Sequence, residues 1–136
     1  PNLPLPAGKG KLGVVPGSMG SSGFIVRGKG NAESFNSCSH GAGRVMSRAA
    51  AFRTLKHADM KKILKEQGIS LIGGTLDESP EVYKDINKVI DGQRDLVDVL
   101  AKFEPKLVRM AAEGNQWGNK KKKKKPENKG DGDVCM

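Results

Sequence analysis

Apolar positions near the start of the chain come in two short runs, each bounded by glycine. Gly13-Val14-Val15 and Gly23-Phe24-Ile25-Val26-Arg27 are rich in β-branched and aromatic residues, and each predicts a short strand. The pattern changes at Arg44. From Arg44 to Arg53 helix formers follow one another without a breaker, which predicts a helix opening on Arg44 itself. Asp59 is placed to cap a helix from Met60 to Gln67, and Gly68 stands where a terminating glycine belongs. Ile69 to Ile72 predicts a strand ending at Gly73-Gly74. Ser79-Pro80 joins a capping hydroxyl to a proline suited to the first helical position. Val82, Ile86, Val89 and Ile90 then repeat at helical spacing, and Leu96, Val97, Leu100 and Phe103 extend it, with Gly92 kinking or dividing the two segments. Pro105 ends the helix, and Leu107-Val108 predicts a last strand.

Composition sharpens this into an α+β fold with an appended tail. The first 43 residues hold ten of the 18 glycines and four prolines, so they read as loops joined by short strands. With 136 residues the chain has room for one modest core. Residues 1–110 read as one domain portion. Residues 111–136 have a lone Trp117, six lysines from Lys120 to Lys125, and too little apolar surface to order, which predicts a disordered basic tail. The first residue is Pro1, so the sequence reads as processed or as a fragment. No apolar stretch approaches the roughly 18–20 residues of a membrane span, so no membrane partner is expected. Cys38 and Cys135 make no disulfide framework, which points to a reducing compartment and a cytoplasmic location. Two histidines, His40 and His57, are too few for a His-rich metal site.

Charge is uneven along the chain. Residues 1–56 carry eight Lys/Arg against the single acid Glu33, residues 57–119 nine against eleven, and residues 120–136 seven against three. Two basic ends flank a slightly acidic middle, and a polyanion or a nucleotide phosphate suits the first block. The lysine run reads either as an electrostatic tether for RNA or as a solvated, self-repelling tail.

The densest chemistry lies in Ser37-Cys38-Ser39-His40-Gly41-Ala42-Gly43-Arg44-Val45-Met46-Ser47-Arg48. Two glycines after His40 allow backbone N–H groups to approach a phosphate, and the expected helix would aim its positive end at the same space. Arg44 is able to fork onto phosphate oxygens, with His40 in reach as nucleophile or acid–base. A glycine turn leading to a surface helix, with His40 merely hydrogen-bonded, fits the spacing equally well. Upstream, Pro16-Gly17-Ser18-Met19-Gly20-Ser21-Ser22-Gly23 is a second loop offering hydroxyls and close backbone approach. It lacks the Gly-Lys-Ser/Thr ending of a P-loop.

Taken together, these segments resemble the RtcB-type RNA ligases. The resemblance rests on Pro16 to Gly20, Ile25-Val26-Arg27-Gly28-Lys29-Gly30-Asn31 and the Ser37 to Arg48 block. It continues through Asp77-Glu78-Ser79-Pro80, Tyr83-Lys84-Asp85-Ile86 and Gln93-Arg94-Asp95-Leu96-Val97, all in family order. The resemblance implies a ligase that joins RNA 3′-phosphate or 2′,3′-cyclic phosphate ends to 5′-hydroxyl ends with GTP and manganese, in tRNA splicing or RNA repair. His40 matches the histidine that carries GMP covalently. Pro16, Gly17, Ser18, Met19, Gly41, Ala42 and Gly43 match the loops holding the GMP, and Arg44 the arginine near the transferred phosphates.

Three departures accompany the resemblance. The family's manganese ligands lie upstream of every motif found here, so any Mn2+ would be bound by residues outside this chain; His57 matches none of them and is expected as a solvated residue between helices. A family serine falls on Gly23, with Ser22 as its nearest substitute. The guanine-contacting lysine of the family falls on Met110 by gapless counting, and Arg109, next to it, would face the other way in a strand. The expected partners are GTP and RNA. By this reading the chain is the C-terminal portion of such a ligase, inactive alone; the rival reading is a non-catalytic basic nucleic-acid-binding fragment that has lost the metal half.

Overall fold

The computed structural model describes residues 3–111. Seven strands and three helices follow in the order β1 (Leu5–Pro6), β2 (Leu12–Val15), β3 (Gly23–Gly28), β4 (Ser37–Cys38), α1 (Arg48–Thr54), α2 (His57–Glu66), β5 (Ser70–Ile72), α3 (Ile86–Asp91), β6 (Val97–Phe103) and β7 (Leu107–Arg109). The mixture of helix and strand is α+β.

β3 is the central strand of the largest sheet. It pairs antiparallel with β2, Val15 opposite Phe24, and on its other edge with β6, Gly28 opposite Val97. Of the four runs predicted as strands, these two form β2 and β3, and the other two, Ile69 to Ile72 and Leu107-Val108, form β5 and β7. Phe24 and Val26 turn inward, while Ile25, Leu12, Val14 and Phe103 lie exposed. A two-residue ribbon pairs β1 with β4, Leu5 opposite Cys38, and β5 pairs parallel with β7. The strands β5 and β7 were expected and β1 and β4 were not; neither pairing was legible beforehand, because strands this short carry no register signal.

The helical expectations are corrected in four places. α1 begins at Arg48, not Arg44: the Ser47 side chain accepts from the Ala50 N–H and so fixes the helix start. Asp59 lies inside the first turn of α2, which starts at His57 after Lys56. Gly68 does follow that helix, with the left-handed φ of +69° that favours glycine. Ser79-Pro80 opens only a single 3₁₀ turn, Pro80–Val82, after which Tyr83 is extended. The helix restarts at Ile86 under the Asp85 cap and closes at Gly92. Val97–Phe103, read as helix from Leu96, Val97, Leu100 and Phe103, is strand β6. Its backbone groups are satisfied by β3, and of these four only Val97 is buried.

Two apolar clusters hold the elements together. The first gathers Ala7, Val15, Phe24, Val26, Cys38, Ala42, Ile86, Ile90 and Val97; the second gathers Met19, Met60, Leu64 and Ile69, with Leu71, Val108 and Met110 packed on it. The Pro16 loop spans them, since Val15 enters the first and Met19 the second.

Gly28 tests this arrangement. A Cβ there would meet the backbone of Ala7 and Gly8, which has no rotamer to yield, whereas a Cβ at Gly23 would meet the movable ring of Phe103. Gly28→Ala is expected to lower unfolding free energy by about 1–3 kcal/mol, and Gly23→Ala by less, as read by urea denaturation. Equal losses would contradict the packing described.

Candidate functional site

His40 is exposed, but the residues two positions away on either side are not. Cys38, the last residue of β4, is 5% exposed and Ala42 4%, and both belong to the first apolar cluster. Between them the turn is tied twice. The Ser39 N–H donates to Gln93 Oε1 at 2.9 Å, and Ser39 Oγ donates to the Gly41 carbonyl at 2.5 Å. Cys38 is a buried thiol of the first apolar cluster, and burial pushes its pKa up.

Gly41 brings the two predicted loops together. A Cβ at Gly41 would stand 3.2 Å from the Pro16 carbonyl oxygen, a tight contact, so the two loops lie against each other here. Gly43 follows at φ +74°, a left-handed turn that sends the chain away from helix. The next residues are extended: Val45 N–H donates to the Val82 carbonyl at 2.8 Å, Lys84 N–H to the Gly43 carbonyl at 2.9 Å, and Arg44 bridges to Tyr83. The expectation that a helix dipole points at the His40 loop is therefore not met, because α1 starts four residues later.

The Pro16 loop closes on itself. Ser18 N–H and Oγ both bond to Ser21 Oγ, at 2.6 and 2.8 Å, so these groups are engaged inside the loop. A Cβ at Gly17 would run into the Ser22 carbonyl, and one at Gly20 would stand 2.7 Å from the Pro80 ring. Met19 is 5% exposed and pins the loop into the second cluster. Gly23 has already left the loop: it lies in β3 beneath the Phe103 ring. The hydroxyl of Ser22, its nearest substitute, reaches toward Glu104 at 3.4 Å.

Met110 follows β7, its N–H bonded to the Ile72 carbonyl at 2.9 Å and its side chain packed on the cluster that contains Met19. Val108 packs on the same cluster and Arg109 between them is exposed, so Arg109 faces the other way as strand alternation requires. His57 is not between helices; it is the half-buried first residue of α2.

Arg44 anchors the polar side of the site. Its guanidinium lies over the Tyr83 ring at 5.4 Å, with Nε 3.3 Å from the Met46 carbonyl and Nη1 3.4 Å from the Tyr83 hydroxyl. Nη2 is buried without a partner among the described residues. Tyr83 donates to Glu78 Oε2 at 2.7 Å, Glu78 Oε1 is 3.3 Å from Arg48 Nη1, and Arg48 also bonds Asp77. Burial, and then the bond to Glu78, raises the Tyr83 pKa, so the phenol keeps its proton. Glu78, Tyr83 and Gln93 were quoted in the sequence resemblance but given no role, because side-chain relays across a chain separation leave no local pattern.

A buried, unspent guanidinium nitrogen and a glycine cradle beside an exposed histidine fit a phosphate-bearing ligand. No group of three or more His, Cys, Asp or Glu side chains gathers among the described residues, so these residues do not fit a manganese ion. No helix among them is long and apolar enough to cross a membrane. Trp117 and the Lys120–Lys125 run lie outside the described residues.

Asp77 supplies a pH test of the network. Burial would raise its pKa, but hydrogen bonds from Thr75 and Arg48 outweigh burial and hold the carboxyl below its ordinary value. A depressed carboxyl contributes stability above its unfolded pKa, about 4, and the contribution is lost as pH falls through the folded pKa. Urea midpoints should drop below about pH 4, and Asp77→Asn should flatten that drop. An identical acid profile in Asp77→Asn would contradict the pairing.

Comparison with known proteins agrees with the geometry. The family described as tRNA-splicing ligase RtcB matches residues 4–111. The RNA-splicing ligase RtcB of Escherichia coli is 48% identical over 91 residues, 67% of this chain and 22% of that protein. The tRNA-splicing ligase RtcB of Nanoarchaeum equitans is 36% identical over 103 residues, 70% of this chain and 22% of that protein. That of Archaeoglobus fulgidus is 44% identical over 84 residues, 57% of this chain and 17% of that protein. The chain spans between 17% and 22% of the length of these relatives. The motifs and the extent of the match establish that the chain belongs to the RtcB tRNA-splicing ligase family.

Proposed function

We propose that this chain forms the guanylyl-accepting part of a GTP-dependent RNA ligase, with His40 as the nucleophile. The observation that carries the reading is the meeting of the two glycine loops at Gly41 and Pro16 beside an exposed histidine whose flanks are buried. A nucleophile on such a turn keeps its position without a buried ring, and the glycine backbone lets a phosphate approach.

In this reading an imidazole nitrogen of His40 attacks the α-phosphorus of GTP. The N–P bond forms, the bond to the bridging oxygen breaks, and pyrophosphate leaves. An oxygen of an RNA 3′-phosphate then attacks the same phosphorus, freeing His40 and activating the RNA end with GMP. The 5′-hydroxyl of the second RNA attacks the 3′-phosphorus, its proton going to solvent or a base, and GMP departs. Protonation of the other ring nitrogen of His40 lets it leave as neutral imidazole in the second step. Arg44 offers Nη2 to a phosphate oxygen. The backbone of Pro16 and Gly17 lines the approach, Ser18 holds the turn through Ser21, and Met19 secures the loop. The RNA would come from tRNA halves or other broken ends.

The protein expressed from its complete reading frame, incubated with GTP and manganese, should acquire a GMP adduct that is stable in alkali and labile in acid. Mass spectrometry should place it on His40. His40→Ala should abolish adduct and ligation together, and His57→Ala should spare both. An adduct persisting in His40→Ala would overturn the reading.

Base selection supplies a second test. A lysine facing the guanine oxygen favours guanine over adenine, whose amino group is a donor. Met110 offers a weak thioether and, packed on the Met19 cluster, gives that contact up. Losing a charged hydrogen bond costs about 1.5–3 kcal/mol, so preference for GTP over ATP should fall about tenfold to a hundredfold below that of lysine-bearing relatives. Met110→Lys should restore it in adduct assays with each nucleotide. Sharp selectivity unchanged by Met110→Lys but lost in Arg109→Ala would assign base reading to Arg109.

A further inference from the structure

We infer that Glu78 is a positioning residue for guanylyl transfer, acting through Tyr83 to hold Arg44 with its Nη2 donor unspent. The inference rests on the reading of His40 as guanylyl acceptor.

Arg44 has few directions left to it. Nε is engaged by the Met46 carbonyl and Nη1 by the Tyr83 oxygen, while the guanidinium lies over the Tyr83 ring. The backbone of the two residues is bridged as well, with Val45 bonded to Val82 and Lys84 to Gly43. Nη2 alone remains, buried and unpartnered. A buried cationic donor without an acceptor is costly, and a phosphate oxygen is the acceptor that best removes the cost.

The orientation of the phenol decides whether this arrangement holds. A phenol has one proton and, in Tyr83, it goes to Glu78 Oε2 at 2.7 Å. The oxygen therefore meets Arg44 as an acceptor and not as a competing donor. Glu78 is itself held, its other oxygen facing Arg48 Nη1 at 3.3 Å, and Arg48 is shared with Asp77. Asp77 is buried and also accepts from Thr75, so the relay ends on a fixed group. Remove Glu78 and the phenol proton is free to turn toward Arg44, pushing the guanidinium off the ring.

Single-turnover guanylylation of the protein from its complete reading frame tests this, with Glu78→Ala and Tyr83→Phe placed in wild-type and Arg44→Ala backgrounds. Each should slow adduct formation on the order of tenfold, the worth of one lost hydrogen bond to a charged group, chiefly in the rate constant and not in the GTP concentration at half-maximum. In Arg44→Ala neither should slow it further, since both act through Arg44. Glu78→Gln keeps an acceptor for the phenol and should recover most of the rate, which also guards against a folding defect in Glu78→Ala. Normal rates in Glu78→Ala and Tyr83→Phe, or losses that add in full to that of Arg44→Ala, would overturn the inference while leaving His40 in place. A wild-type protein that forms no adduct on His40 would overturn both.

Discussion

A nucleophilic side chain has to reach its substrate, yet a side chain on a free loop loses its aim. Burial on both sides of His40 meets these two demands in its proposed role. Cys38 and Ala42 sink into one apolar cluster, and the four-residue interval leaves His40 at the crest. The partner loop obeys the same constraint on a larger scale. Val15 and Met19 are buried in different clusters, so Pro16, Gly17 and Ser18 are stretched between two fixed points. Val15 and Met19 each contribute about 1.5–3 kcal/mol of burial and the smaller Cys38 and Ala42 less, together enough to hold the loops.

Electrostatics then orients what packing has placed. A chain of hydrogen bonds and ion pairs runs from Arg44 through Tyr83, Glu78 and Arg48 to Asp77. Exposed pairs are worth little by themselves, but this one ends on a buried carboxylate and begins on a half-buried guanidinium. Its contribution is directional. The segment 77–83 supplies three members of the relay, and its extended Tyr83 makes the bridge that keeps Arg44 out of α1.

Much of the site was legible in the sequence because glycine, proline and histidine mark local backbone geometry. The strand predictions around Val14 and Ile25 met the sheet, and the His40 and Pro16 loops met each other. The predicted helix through Phe103 failed for a physical reason. Leu96, Val97, Leu100 and Phe103 satisfy a helical period by chance, while pairing with β3 gives Val97–Phe103 its hydrogen bonds. Arg44 failed similarly: its neighbours are good helix formers, but the Gly43 turn and the Ser47 cap delay the helix. The roles of Gln93 and Glu78 were invisible, since each acts on a residue distant in sequence or through an intermediate ring. Gly23, matched to a binding position by the resemblance, lies in β3 under the Phe103 ring, a packing contact that leaves no local sequence pattern.

The most direct test of the proposal is a crystal structure of the protein from its complete reading frame after incubation with GTP and manganese. Continuous density should join the His40 ring to a GMP phosphorus. The phosphate should lie within hydrogen-bond distance of Arg44 Nη2 and the Gly41–Gly43 backbone, and the base should lie toward Met110. A nucleotide bound elsewhere, with His40 unmodified and Arg44 Nη2 still unpartnered, would contradict it.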